Sequence, residues 1–276
     1  MKYISILILL VSINISAQTH SFMTYNIRYA NEQDSINKWD FRKEKLADQI
    51  KFHEPDVFGL QEALECQVIY LDTNLCNYSF VGVGRDDGKT KGEFSPIYFR
   101  NDKLTLIKWN TFWLSETPDT ISVGWDAALE RICTYALFED KISHEKFWVF
   151  NTHFDHIGIE ARINSAKLIF KMISKFNDEN YPVFLMGDFN LEPESDPIQF
   201  LSEKLCDSKK SAKVVYGNNG TFNGFDTILE VTRRIDYIFV SRENITVSKY
   251  AVFSDLINQR YNSDHFPVYI EAEFSK

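Results

Sequence analysis

The amino-acid sequence predicts an α/β fold in which sheets pack face to face and helices cover their outer surfaces. Two observations carry that prediction. Apolar runs of strand length alternate along the chain with longer segments of helical period. Aromatic residues make up 15% of the 276 residues, with 23 Phe and 13 Tyr, which favours a strand-rich globular core over disorder. A hydrophobic content of 44% at this length supplies one large domain with a substantial core, and no repeat, low-complexity tract or long linker divides it.

In chain order, residues 22–27 read as a strand, 41–52 as an amphipathic helix with Leu46 and Ile50 at helical spacing, and 57–60 as a short buried strand. A second helix covers 64–72. Strands over 79–84, 95–100 and 104–114 are separated by Gly, Asp and Lys turns. Residues 132–138 and 146–152 pair across a polar turn. The longest helix spans 159–176, with Ile163, Ala166, Ile169, Phe170 and Ile173 on one face. A buried strand over 183–186 follows, then a short helix or turn starting at 193–197. Residues 234–241, 245–253 and 266–274 are the closing strands.

The N-terminus reads differently. Lys2 precedes an apolar run over 4–13, and Ser16-Ala17 offers small residues before Gln18, the pattern of a secretory signal peptide. The run is shorter than the ~20 apolar residues of a membrane span. Residues 1–17 are therefore expected to be a signal peptide, and 18–276 a single domain exported to the periplasm or the extracellular space. No stable membrane association is expected after cleavage, and the mature chain is expected to be a monomer. The formal net charge is −9, and loss of Lys2 makes it −10. Proteins that track long nucleic acid usually carry a basic face, and none is evident here. Cys66, Cys76, Cys133 and Cys206 form no C-x-x-C pair, which argues against a zinc site and for buried free thiols.

Polar groups recur where strands end, which is where a rigid sheet presents chemistry to a cleft. Asn26 follows Thr24-Tyr25, and Glu62 follows Phe58-Gly59-Leu60-Gln61. Asn151, His153, Asp155 and His156 follow the apolar run 147–150. Asp188 and Asn190 close Gly187-Asp188-Phe189-Asn190, Asp236 lies in Arg234-Ile235-Asp236-Tyr237, and Ser263-Asp264-His265 comes last. Singly, each is a common turn or cap residue. Together, an Asp to orient water, an Asn for a phosphate oxygen and an Asp–His pair suggest phosphoester hydrolysis. The G-x-S-x-G elbow of serine hydrolases and the H-E-x-x-H of zinc proteases are absent. A glycosidase reading would leave the Asn and His residues unused.

In these motifs, with Tyr25-Asn26-Ile27-Arg28, Leu60-Gln61-Glu62 and Asn151-Thr152-His153, the chain resembles the endonuclease/exonuclease/phosphatase superfamily of magnesium-dependent phosphoesterases. The resemblance spans essentially the whole mature chain. It implies a four-layer α/β/β/α sandwich of the deoxyribonuclease-like kind, with two central, mainly antiparallel sheets flanked by helices. It also implies a site at one edge of those sheets. By the same resemblance Glu62 is the principal ligand of Mg²⁺ or Mn²⁺, with Asn26 close to the same ion and Asp264 a further ligand or support. Asp188 orients or deprotonates the attacking water, Asn190 donates to a phosphate oxygen, and His265 makes a second phosphate contact. Asp236 accepts a hydrogen bond from His265. His153 lies near the scissile phosphate, braced by Asn151.

Arg28 stands where DNA-cutting relatives often carry an acidic residue, and reads as a bidentate grip on phosphate. Arg85, Arg131 and Arg162 are further candidates for the pocket. Trp109, Phe112, Trp113 and the loop 220–226 supply either aromatic pocket walls or plain core and turn. The sequence thus favours a metal-dependent phosphodiesterase or phosphatase acting on a small soluble phosphoester. A scavenging nuclease is the alternative enzyme, disfavoured by the acidic charge. A binding module for phosphorylated ligands without turnover is the alternative from another class.

Overall fold

The computed structural model describes residues 18–274; the expected signal peptide, residues 1–17, lies outside them. The chain forms β1 (Thr19–Asn26), α1 (Trp39–His53), β2 (Val57–Gln61), α2 (Glu65–Asn74), β3 (Tyr78–Val81), β4 (Ile97–Arg100) and β5 (Leu104–Trp113). It continues through β6 (Ile132–Asp140), β7 (Lys146–His153), α3 (Ile159–Phe176), β8 (Val183–Asp188), α4 (Asp196–Lys204), β9 (Cys206–Asp207) and α5 (Ser208–Ser211). It closes with β10 (Val214–Gly217), β11 (Asp236–Val240), β12 (Ile245–Val252) and β13 (Val268–Phe274). A seven-stranded sheet has the order β10-β12-β13-β1-β2-β4-β3, and a six-stranded sheet the order β5-β6-β7-β8-β11-β9.

Three apolar layers hold four layers of structure together, as the predicted sandwich requires. Successive strand residues point to opposite faces, so each strand feeds two cores. On β1, Phe22 enters the core between the sheets, whereas Met23 enters the core beneath α1 and α2. On β7, Phe147 and Val149 face the inter-sheet core, and Trp148 and Phe150 pack toward α3. Phe22 and Phe184 stack across the two sheets with ring centroids 3.7 Å apart. Helix α3 buries Ala161, Ser165, Ala166, Ile169, Met172 and Ile173. Its free N-terminal amides at Ile159, Glu160 and Ala161 donate to the carboxylate of Asp126 from a distant loop. Gly158 makes room for that carboxylate, since a Cβ there would lie 2.6 Å from Asp126 Oδ1.

Most neighbouring strands are antiparallel, but β1 with β2, β7 with β8 and β10 with β12 are parallel. The first two of these pairs end at the same edge of the sandwich. Asn26 pairs with Gln61 at the end of the first, and His153 with Asp188 at the end of the second. Asp236 opens β11 directly opposite Asp188, and residues 263–265 lie just ahead of β13 beside β1.

Some local expectations are corrected. The short helix or turn expected at 193–197 is α4, which runs on to Lys204; Pro197 sits in its first turn, where a missing N–H costs nothing. The segments β9, α5 and β10 were not legible as elements. All four cysteines are free, but Cys66 and Cys76 are exposed rather than buried. Among the described residues no helix is long and apolar enough to cross a membrane.

At the sandwich edge away from the strand ends just described, His20 is fully buried and neither ring nitrogen has a hydrogen-bond partner. Asp56 and Asp140 stand 3.9 Å away on either side, with Lys103 and Glu145 also acting on the ring. Burial outweighs the two carboxylates and lowers the imidazole below its ordinary 6.5. A group with a lowered folded value contributes stability above its unfolded value and loses it as pH falls. The contribution of His20 to an unfolding titration from pH 7.5 to 5, read as the difference between wild type and a variant without the imidazole, is therefore expected to be a decline of up to about 1.4 kcal/mol per pH unit. His20→Phe, which can join the rings of Phe147 and Phe274, is expected to flatten that slope.

Candidate active site

The gathered strand ends form a cleft of 470 Å³ lined by Arg28, Tyr29, Glu62, Glu93, Leu129, Arg131, His153, His156, Asp188, Asn190, Phe222, Arg233, Ile235, Asp264 and His265. Three of these, Arg28, Glu62 and Asn190, hold left-handed backbone conformations, with φ of 55°, 61° and 51°. Such conformations cost energy in non-glycine residues and cluster at working sites. A somewhat larger hollow of 540 Å³ opens between α1 and residues 257–262. Its buried cation, Arg42, has spent its donors on the carbonyls of Ile27, Arg28, Asn37 and Asn262.

Asp188 is the hub of the cleft. Its Oδ2 accepts from Asn26 Nδ2 at 2.9 Å and its Oδ1 from the Asn190 amide at 2.9 Å. Burial, with the charge of Asp236 beside it, raises this carboxyl to about 7. His265 Nδ1 lies 2.9 Å from Asp236 Oδ2, and its Nε2 lies 3.7 Å from Asp188 Oδ2. Burial opposes charge on this ring, yet the carboxylates of Asp236 and Asp188 outweigh it and raise the imidazole to about 10. His265 is thus an imidazolium at neutral pH, oriented by Asp236.

Asn26 Nδ2 also donates to Glu62 Oε1 at 3.1 Å, so one amide lies between two carboxylates from different sheets. The Arg28 guanidinium makes two bonds to Asp34 at 3.0 and 3.1 Å, and stands 3.9 Å from both Glu62 and Asp264. Burial and the neighbouring Glu62 push the Asp264 carboxyl up. Glu62 and Asp264 supply hard carboxylate oxygens at the cleft, which fit a divalent cation of the Mg²⁺ or Mn²⁺ type, whereas the Asn26 amide presents its nitrogen to Glu62 while its Oδ1 accepts from Arg28 N at 3.0 Å. Among the described residues, Asp188, Asp236 and His265 also offer donor atoms within 4.8 Å of one another. An imidazolium has no lone pair to give, so that trio is better read as a hydrogen-bonded array than as an ion seat.

Other expected residues take different places. Asn190 Nδ2 donates to Phe154 O at 3.0 Å and faces His153 Nε2 at 3.1 Å. A carbonyl only accepts, so the amide nitrogen must face it and His153 Nε2 is the acceptor. Both amide hydrogens of Asn190 are thereby committed, and donation to phosphate would cost one of them. His153 then carries its proton on Nδ1, 3.7 Å from Glu93, and burial with the charges of Arg131 and Arg85 keeps the ring neutral. Asn151 does not brace His153. Its Nδ2 donates to Leu60 O and Pro96 O across the sandwich, and its Oδ1 accepts from Gln61 Nε2. Gly59 leaves room for it, because a Cβ there would fall 2.5 Å from the Asn151 side chain.

Of the four candidate arginines, Arg28 and Arg131 line the cleft, whereas Arg85 and Arg162 do not. Arg85 lies behind the wall, bonded twice to Glu93, and Arg162 reaches back to the carbonyls of His156 and Ile157. Phe112 and Trp113 are core, while Trp109 is 41% exposed. Sequence reasoning gave no role of their own to Glu93, Arg233 or Arg42, whereas the loop 220–226, read as pocket wall or turn, does bring Phe222 to the cleft. Glu93 sits in a Gly- and Lys-rich loop that looks like any polar turn, and Arg42 occupies an ordinary charged position on a helix. Only Arg233, beside the Asp236 motif, had a local signal.

The family model described as the endonuclease/exonuclease/phosphatase family matches residues 23–265. The chain belongs to the endonuclease/exonuclease/phosphatase family. A family protein from Bacteroides thetaiotaomicron has a solved structure that superposes with a TM-score of 0.90 at 39% identity, covering 95% of this chain and 100% of that one. A solved structure of a mannosyl-6-phosphatase from the same species superposes with a TM-score of 0.88 at 41% identity, covering 92% and 100%. An uncharacterised mimivirus protein is 29% identical over 255 residues, 87% of this chain and 94% of that protein.

Proposed function

We propose that the protein is a divalent-metal-dependent hydrolase of phosphoester bonds, acting with Mg²⁺ or Mn²⁺ on a small, soluble phosphoester outside the cytoplasm. The observation that carries this reading is the opposition, across one cleft, of an imidazolium and a carboxyl poised near neutrality. His265 is held charged by Asp236, and Asp188 is raised to about 7 beside it. A carboxyl of that kind is suited to orient water and take its proton near physiological pH. The His265 Nε2–H can stabilise negative charge developing on a phosphoryl oxygen. Glu62 and Asp264 would hold the cation, with Asn26 beside them, and the cation when bound neutralises charge on the phosphate. A relative with 41% identity bears the name mannosyl-6-phosphatase, which supports a small phosphorylated substrate. The formal charge of −9 favours a small ester over a polyanion.

The test is a panel of sugar phosphates, aryl phosphomonoesters and phosphodiesters, single-stranded DNA and RNA, run with Mg²⁺, with Mn²⁺ and with chelator. Turnover of a small ester that needs the metal and is lost in Glu62→Ala is expected, with nucleic acid left intact at low salt. Turnover indifferent to chelator, or equal in Glu62→Ala, would reject the proposal. Steeply salt-dependent cleavage of nucleic acid would replace it with a nuclease.

A further inference from the structure

The guanidiniums around the cleft differ in how their charge is used. Arg85 is bonded twice to Glu93, Arg28 is ringed by Asp34, Glu62 and Asp264, and Arg233 is half exposed beside Glu192. Arg131 differs. It lines the cleft and is 4% exposed. Its Nε donates to Asp155 Oδ1 at 3.2 Å and its Nη2 lies 2.9 Å from His156 Nδ1. Asp155 is itself fixed, because its Oδ2 accepts from the amides of Ile157 and Gly158. The guanidinium is therefore held from behind in one orientation, while its Nη1 hydrogen-bonds to no described residue. That free edge of the guanidinium opens on the cleft, and a charged fork held in one orientation at a pocket wall is suited to an anion.

Building on the phosphoester-hydrolase reading, we propose that Arg131 is the seat for the third terminal oxygen of a phosphomonoester and selects monoesters over diesters. A monoester presents three terminal oxygens and carries close to two negative charges at neutral pH, whereas a diester presents two and carries one. In the proposed arrangement a cation held at Glu62 and Asp264 would take one terminal oxygen, and His265 Nε2–H would donate to a second. The third meets the Arg131 Nη1 edge in a monoester. In a diester that position bears the second ester substituent, which would have to enter the wall formed by Arg131, Leu129 and His156. The fixed fork of an arginine suits this task, and a lysine cannot reproduce it.

The test uses metal-loaded protein, calorimetric binding of inorganic phosphate, methyl phosphate and dimethyl phosphate, and turnover of p-nitrophenyl phosphate against bis(p-nitrophenyl) phosphate. Arg131→Lys, which keeps a cation beside Asp155, is the main variant, and Arg131→Gln the second; thermal melting reports whether each is folded. Arg131→Lys is expected to weaken phosphate and methyl phosphate at least about tenfold and to change dimethyl phosphate by less than about threefold. The ratio of monoester to diester kcat/KM is expected to fall by a similar factor, chiefly through KM. Equal losses for both ester types in a folded variant, unchanged phosphate binding, or no phosphate binding in the wild type would each overturn the assignment. A wild type that binds phosphate through Arg131 yet hydrolyses no ester upholds this seat and overturns the hydrolase reading instead.

Discussion

Asp188→Ala is expected to lower metal-supported ester turnover by about 10²–10⁴-fold without unfolding the protein. The chemical part follows from the position of Asp188 among Asn26, Asn190 and His265. The stability part follows from its raised pKa. Burial and the nearby Asp236 hold the carboxyl at about 7, against an ordinary 3.8, so the ionised form is strained at pH 8 when no metal is bound. Stability carried by the protonated form is lost as pH rises between those two values, so deleting the group relieves a cost at alkaline pH. The chelated variant is thus expected to melt at or above the wild-type temperature at pH 8. Turnover within threefold of wild type would remove Asp188 from the chemistry, and a melting point many degrees lower would show that the defect is one of folding.

Arg42→Met is expected to be the most damaging change outside the cleft. Arg42 is 4% exposed and donates to the carbonyls of Ile27, Arg28, Asn37 and Asn262. It ties the turn after β1, which carries Arg28, to the segment that delivers Asp264 and His265. Methionine fills much of the volume but leaves buried carbonyls without donors, at a cost of about 3–5 kcal/mol in total. At about 2–4 °C per kcal/mol for a domain of this size, the melting temperature is expected to fall by about 10 °C. A fall below about 3 °C would mean that water replaces the guanidinium, and that the clamp is weaker than its geometry suggests.

The large features of the fold were legible because they depend on periodicity. Helix α3 repeats its apolar residues every three to four positions, which places Ala166, Ile169 and Ile173 on its buried face although Ile163 and Phe170 are only half-buried, and β1 and β7 carry continuous apolar stretches, as strands buried on both faces do. The polar strand ends were legible for a related reason: a charged or amide residue directly after a buried run must emerge at a sheet edge. What could not be read depends on partners distant in sequence. Asn151 looks like a neighbour of His153, yet its bonds go to Leu60 and Pro96 in the other sheet. Arg85 and Arg162 look like equals of Arg131, but Glu93 absorbs the first and helix geometry turns the second away. Residues 193–197 read as the start of a short helix or turn, and the helix that begins there runs on to Lys204 because Ile198 and Leu201 find a core that local sequence does not show.

The amide of Asn151 has a mechanical consequence. It is rooted in β7, and all three of its side-chain bonds reach the opposite layer, beside a glycine where no larger residue fits. Slippage of one layer over the other would have to break those bonds together. Glu62 rides on one layer and Asp188 on the other, so the spacing between them is governed by this dowel rather than by a flexible loop. That spacing stays fixed until the layers themselves part.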